Sequence, residues 1–210
     1  GTPSTEVTEE IAKFEEVYCE WAPNEKVGME VAFGASLAGA RSACAMKHVG
    51  LNVAADPLFT LSYTGVNGGM VICVADDPAM HSSQNEQDSR FYGKFAMIPI
   101  LEPSSQQEAY DIMPYAFALS EQLRLPVLMR VVTRLAHSRA GVETVEPIAQ
   151  NKLNPDNERT HWVLLPGNAR RQYASLVAKQ EQLLASSENS PYNKLHSAER
   201  AAIGVVACGI

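Results

Sequence analysis

The chain has 210 residues, 46% of them hydrophobic and 20% charged, which is enough apolar mass for a sizeable core and excludes the disordered and fibrous classes. A formal net charge of −7 with no run of Lys and Arg argues against a nonspecific nucleic-acid binder. No apolar run approaches the ~20 residues of a membrane span and no signal-peptide pattern opens the chain, so a soluble, cytoplasmic protein with no nucleic-acid or membrane partner is expected.

From the start of the chain, "GTPSTE" reads as Thr2 capping a helix over 3–16 with Pro3 in its first position. An apolar run at 17–20 then reads as a strand. A second helix is expected over 24–40, capped by Asn24. On it Gly28, Ala32, Ala35 and Gly39 share one face, where another backbone can approach closely, so the helix should be buried. Strands follow near 42–46, 70–76, 97–101 and 126–132, separated by helices near 53–64, 83–95 and 104–123. The runs "MVICVAD" and "PVLMRVV" are continuously apolar rather than alternating, as strands covered on both faces are. The expected fold is α/β, a doubly wound, mainly parallel sheet with helices on both faces.

From about Glu143, Pro, Asn and Gly punctuation reads as a linker crossing a surface, followed by a helix near 168–187 and a break at "SSENSPYN". The closing "IGVVACGI" reads as a buried strand. The chain thus divides into a domain over 1–142, a linker and helix over 143–200, and, over 201–210, the first strand of a following truncated domain. Its ends read as cuts in a longer polypeptide. Cys19, Cys44, Cys73 and Cys208 have no C-x-x-C spacing and are expected as buried small hydrophobes in a reducing compartment.

In a sheet of this kind ligands gather at the carboxyl ends of the strands. The segments there are "KHVGLN", "DDPAMHSSQNEQDSR", "EPSSQ" and "TRLAHSRAG". Lys47 and His48 are either a surface loop or a pair that receives a carboxylate or moves a proton, with Gly50 allowing the turn and Asn52 capping the next helix. The stretch 76–90 concentrates Asp76, Asp77, His81, Gln84, Asn85, Glu86, Asp88 and Arg90 without zinc or calcium spacing, so no metal site is expected in it. His81, Ser82, Gln84 and Asn85 are better candidates for lining a substrate-facing or subunit-facing pocket. Arg134 and His137 read as structural at least as well as functional. Glu25 either stabilises a helix dipole or, beside a dry cleft, shares a proton with a ligand nitrogen. No G-x-G-x-x-G follows a strand, which disfavours a nucleotide-dependent dehydrogenase.

Glu25, Gly28, Ala32 and Gly34, with Ala38 and Arg41 beyond, resemble the pyrimidine-binding domain of thiamine diphosphate enzymes. Together with "GTPSTE", "YCEWAPNEKVGMEVAFGASLAGAR", "MKHVGLNVAADPL", "YTGVNGGMVICVADDPAMHSSQNEQDSRFY" and "RLAHS", they make the chain similar to the 2-oxoacid:ferredoxin oxidoreductase family. Within it the likeness is to the large (alpha) subunit of the indolepyruvate-oxidising members, over essentially the whole chain and most strongly over 1–140. The resemblance implies an oxidoreductase that decarboxylates arylpyruvates to aryl-acetyl-CoA, with thiamine diphosphate as cofactor and ferredoxin as electron acceptor. It implies that Glu25 hydrogen-bonds the N1′ nitrogen of the cofactor's aminopyrimidine, with Gly50 packed near the cofactor.

The resemblance further implies that Thr2 lies near the substrate carboxylate, and that Lys47 and His48 replace a small-residue turn found in pyruvate-oxidising relatives. Those relatives hold the substrate carboxylate with an arginine near Asp76, for which this chain shows no counterpart. The Gly-Asp-Gly…Asn segment that binds Mg2+ and the cysteine array for 4Fe-4S clusters are absent here and, by the resemblance, lie later in the full subunit. A smaller beta subunit, ferredoxin, coenzyme A and arylpyruvates are the implied partners, and the 210 residues alone are expected to be inactive. The rival reading is a noncatalytic interaction domain on the same fold, against which Glu25 weighs.

Overall fold

A computed structural model describes residues 1–197, 200 and 202–210. Four strands, β1 (Ser42–Lys47), β2 (Met70–Asp76), β3 (Ile100–Leu101) and β4 (Val127–Val132), form one parallel sheet in the order β1-β2-β4-β3. Ser42 pairs with Met70 and Val71 with Val127, so the first three strands in that order start nearly level. The helices are α1 (Thr5–Ile11), α2 (Glu25–Leu37), α3 (His48–Val53), α4 (Ala55–Thr64), α5 (Arg90–Ala96), α6 (Gln106–Leu123), α7 (Thr133–Ala136), α8 (Arg159–Trp162), α9 (Pro166–Ala178) and α10 (Gln180–Glu188).

The central strand explains the unbroken apolar run. All seven residues of β2 are buried. Met70, Ile72 and Val74 pack with Met29 of α2, Leu51 of α3, and Leu58 and Leu61 of α4. Val71, Cys73 and Ala75 point the other way, into Ile112, Ala116, Leu119 and Leu123 of α6, Leu135 of α7 and Leu176 of α9. Helices cover both faces, the doubly wound arrangement expected. Each large side chain so buried stabilises the fold by about 1.5–3 kcal/mol, which favours hydrophobes at every position of such a strand over an alternating pattern. Cys44 packs into the first of these layers and Cys73 into the second, on adjacent strands. Cys208 is exposed, so burial does not extend to all four thiols.

Several local expectations are corrected. Thr2 does not cap α1: Ser4 holds the N-cap position and its hydroxyl donates to Gly1 O at 2.7 Å. Residues 17–20 are not a strand, because the local bond there runs from Val17 N to Phe14 O and Tyr18 is 83% exposed. The helix near 53–64 is two, α3 and α4, meeting at Ala54. The helix expected over 83–95 begins only at Arg90. The amides before it are taken by carboxylates: His81 N and Ser82 N donate to Asp77 and Ser89 N to Asp76, and such side-chain acceptors compete with a helical ladder.

The buried residues of α2 are Met29, Ala32 and Ser36; of the face expected to be buried, Ala32 and Gly39 are, Gly28 is partly so and Ala35 is exposed. Close backbone approach occurs just beyond the helix. At Gly39, φ is +92° and an added Cβ would lie 2.8 Å from Asn154 N. That contact belongs to the segment after residue 142, which lies along the domain: Asn154 N donates to Ala38 O at 2.9 Å, and Asn151 Nδ2 donates to Glu121. The single helix expected near 168–187 is α9 and α10, joined at Lys179, and the short α8 precedes them. Residues 202–210 carry no strand, and Ile203, Val205 and Val206 are exposed, since no neighbouring strand takes their backbone groups. The boundary expected near residue 200 falls beside 198, 199 and 201, which lie outside the described residues. Among the described residues no helix is long and apolar enough to cross a membrane.

Candidate active site

Helix α2 leads into β1 through a short turn and runs antiparallel to it, so its first residue arrives at the carboxyl end of the sheet. Asn24 caps it, its side chain accepting from Val27 N at 3.0 Å, as the sequence indicated. That cap fixes Glu25 in the first turn. Its side chain lies directly over Gly50 of α3: a Cβ built there would meet Glu25 Cγ at 2.5 Å, and Cδ and Oε1 at 2.9 Å. Glu25 is half-buried, and among the described residues no hydrogen bond or ion pair engages its carboxylate. The cradle therefore holds a carboxylate for which the described residues supply no partner.

Lys47 ends β1 and His48 opens α3. The open loop considered for them is not what forms. Lys47 Nζ donates to Ser82 O at 2.9 Å, and His48, with 0% of its surface exposed, lies 3.1 Å through Nε2 from Asn85 O. A carbonyl can only accept, so Nε2 carries the hydrogen, and His48 Nδ1 is left buried with no partner. Gly1 lies alongside, its would-be Cβ 4.0 Å from Lys47 Cδ, which brings the exposed Thr2 to the same strand end.

The loop from Asp77 to Asp88 is organised from below. Asp77, 1% exposed, accepts from Ser83 Oγ at 2.5 Å, Thr133 Oγ1 at 2.7 Å, Ser82 N at 2.8 Å and His81 N at 3.2 Å. Burial alone would push its carboxyl up. These donors outweigh it, the Ser83 hydroxyl first, and hold the group well below the usual carboxylate range. The side chains of His81, Gln84 and Asn85 are exposed on the loop, and Asn85 meets His48 through its backbone carbonyl. Arg134 and His137 lie outside this cluster: both are exposed, and His137 Nδ1 is 3.4 Å from Glu6.

One member of this strand end escaped the sequence reading. Arg130, from the middle of β4, places Nε 2.6 Å from Asp76 Oδ2 and Nη1 against Glu102, with Asp88 at 3.8 Å. An arginine does therefore stand beside Asp76, supplied by a neighbouring strand. Its charge is matched by buried carboxylates rather than offered to a substrate. A lone Arg inside "PVLMRVV" was the available signal, because a buried guanidinium needs paired acids nearby. Among the described residues no group of three or more His, Cys, Asp and Glu side chains is arranged to hold a metal ion.

Comparison with known proteins gives this arrangement its context. Residues 2–189 match the family described as "Pyruvate flavodoxin/ferredoxin oxidoreductase, thiamine diP-bdg". The curated "Indolepyruvate oxidoreductase subunit IorA" of Archaeoglobus fulgidus is 43% identical over 224 residues, covering 100% of this chain and 35% of that protein. The subunit of the same name from Pyrococcus abyssi is 45% identical over 223 residues, covering 100% and 34%. The chain thus spans about a third of the length of the curated relatives it matches. Among solved structures, the 2-oxoglutarate:ferredoxin oxidoreductase from Magnetococcus marinus, with 2-oxoglutarate, coenzyme A and succinyl-CoA bound, superposes with a TM-score of 0.67. It is 14% identical and covers 94% of this chain and 42% of that one, a likeness of fold.

Proposed function

This chain belongs to the thiamine diphosphate-binding family of pyruvate flavodoxin/ferredoxin oxidoreductases, and on that premise we propose that it is the pyrimidine-binding part of the large subunit of an indolepyruvate:ferredoxin oxidoreductase. The reaction is oxidative decarboxylation: an arylpyruvate loses carbon dioxide, electrons pass to ferredoxin, and coenzyme A takes the aryl-acetyl group. Identities of 43% and 45% to subunits named for indolepyruvate support the substrate class. A smaller beta subunit completes the enzyme in the cytoplasm. The ligands for Mg2+ and the 4Fe-4S clusters belong to parts of the longer relatives that this chain does not span. On this reading 1–142 is the cofactor domain, 143–200 a connecting segment that carries α8, α9 and α10, and 201–210 the approach to a following domain.

The observation that carries the reading is the unpartnered Glu25 carboxylate above Gly50. An aminopyrimidine ring offers a nitrogen that can take a proton from or share one with a carboxylate, which is the partner this cradle lacks. When bound, thiamine diphosphate supplies the thiazolium carbon that attacks the 2-oxo group and accepts its electrons on decarboxylation. Glu25 holds the shared proton at its carboxylate oxygen. Gly50, by having no side chain, keeps that oxygen within reach. The 77–88 loop covers this strand end and limits water, and Thr2, His81, Gln84 and Asn85 face the side from which an arylpyruvate enters.

Glu25→Gln in the full-length enzyme tests this. The melting temperature should stay within a few degrees, since no protein partner is lost, while turnover falls on the order of 10²-fold or more. Undiminished turnover would remove Glu25 from the chemistry. A full-length protein that bound no thiamine diphosphate would favour the noncatalytic interaction domain.

A further inference from the structure

We infer that Lys47 and His48 are a two-point clamp that positions the 77–88 loop, and through it the substrate pocket, rather than groups that touch the reacting atoms. Two consecutive residues at the end of β1 each direct a nitrogen to a backbone carbonyl of the loop, Lys47 Nζ to Ser82 O at 2.9 Å and His48 Nε2 to Asn85 O at 3.1 Å. Asp77 secures the other side of the same segment through Ser82 N and Ser83 Oγ. The loop is thus held from β1 and from β2 at once.

The backbone between these anchors shows why a clamp is needed. Ala79 and Met80 take φ of +63° and +57°, two successive side-chain-bearing residues in the left-handed region. Residues there persist only where surrounding bonds over-determine them. The Ala79 amide is tied back to Glu86 Oε2 at 2.9 Å, closing the loop on itself. Without the β1 anchors the closed loop could pivot about Asp77, and its exposed His81 and Gln84 would lose their fixed relation to Glu25. The relation is short: His48 is two residues from Gly50, whose missing side chain accommodates Glu25.

His48 is suited to this work by its burial. A ring with 0% exposure, one nitrogen donating to Asn85 O and the other without a partner, gives a donor held in a fixed direction by the core around it. Its removal would strand the Asn85 carbonyl. Lys47 adds a charged donor from the rim of the same strand end.

The assignment rests on the proposed function in treating this loop as a wall of the substrate site. The test therefore uses two independent readouts on the full-length enzyme with its partner subunit. The variants are Lys47→Met, His48→Leu and the conservative His48→Gln, which retains a donor for Asn85 O. Amide exchange across 78–88 should quicken about tenfold in Lys47→Met and His48→Leu and return toward the parent in His48→Gln. The KM for the arylpyruvate should rise by about tenfold in the first two with kcat little changed, and thiamine diphosphate affinity should stay the same. Unaltered loop exchange in Lys47→Met and His48→Leu alike, with KM at the parent value in Lys47→Met, would overturn the clamp. So would a fall in kcat at constant KM that His48→Gln does not rescue, since that marks a proton carrier. An enzyme that turned over no arylpyruvate would sink the functional reading, and the exchange measurement would still decide the clamp.

Discussion

Replacing Gly50 with alanine should separate stability from function by one methyl group. Gly50 sits inside α3 with no positive φ, so its backbone accepts alanine, and the exchange favours the helix by about 1 kcal/mol. Against this, the new methyl would stand 2.5 Å from Glu25 Cγ and 2.9 Å from its Cδ and Oε1. A flexible glutamate relieves such a clash by leaving its rotamer, at about 0.5–1.5 kcal/mol. The terms nearly cancel, and a protein of this size should shift its melting temperature by about 2 °C or less. The carboxylate, however, must retreat by roughly 1 Å to reach ordinary contact, and the proposed charge-assisted hydrogen bond to the cofactor ring, about 1.5–3 kcal/mol, would be lost. Thiamine diphosphate-dependent turnover should therefore fall by about 10- to 150-fold. Anaerobic, coenzyme A-dependent dye reduction by the full-length enzyme, read beside thermal melting, measures both. Full turnover would refute the reasoning, and so would a melting temperature lower by about 10 °C, which would make the cradle part of the core instead of a cleft.

Two other perturbations address the strand end beneath it. Asp77 titrates below its ordinary value of 3.8 in the fold, so its stabilisation is fully present above that value and fades as pH falls through and below about 4 toward the folded value. Asp77→Asn should lose about 1–3 kcal/mol at pH 7 and show a shallower acid limb; melting curves from pH 7 to pH 3 that run parallel to the parent's would contradict this. Arg130→Leu strands Asp76 and Glu102 without their counter-charge and should destabilise by about 3–5 kcal/mol, partly restored by adding Asp76→Asn and Glu102→Gln. A loss under about 1 kcal/mol in chemical denaturation would mean that water already reaches the pair.

The sheet was legible because burial on two faces leaves its mark on each strand separately, and "MVICVAD" needs no partner to look buried. Asn24 was legible for the same reason, a cap being settled within four residues. The misreadings share the opposite property. Residues 17–20 and 203–210 are apolar enough for strands, but a strand exists only where a neighbour accepts its backbone, and periodicity does not report neighbours. Residues 83–89 have a composition that suits a helix, yet the chain is pinned at both ends of that stretch, with Asp77 taking the amides of His81 and Ser82 and Asp76 that of Ser89. His48 is legible at the right strand end, but whether it forms a surface loop or a working pair is not, because the carbonyl that meets its ring belongs to Asn85, 37 residues on. Arg130 was hidden by the apolarity of its own strand, and its partners come from β2 and from the segment after β3.

The separation of Cys44 and Cys73 by the thickness of the sheet has a consequence for redox chemistry. Burial pushes the Cys44 thiol up to about 12, with Cys73 adding to it, and burial pushes Cys73 up to about 11. At neutral pH no more than about one molecule in ten thousand carries either sulfur as a thiolate, the only form that attacks a thioester or a disulfide. Facing opposite layers, the two also lack the geometry to oxidise to a bridge. The sheet thereby keeps the two sulfurs on separate apolar faces, Cys73 buried and Cys44 partly so, and holds both out of thiol exchange.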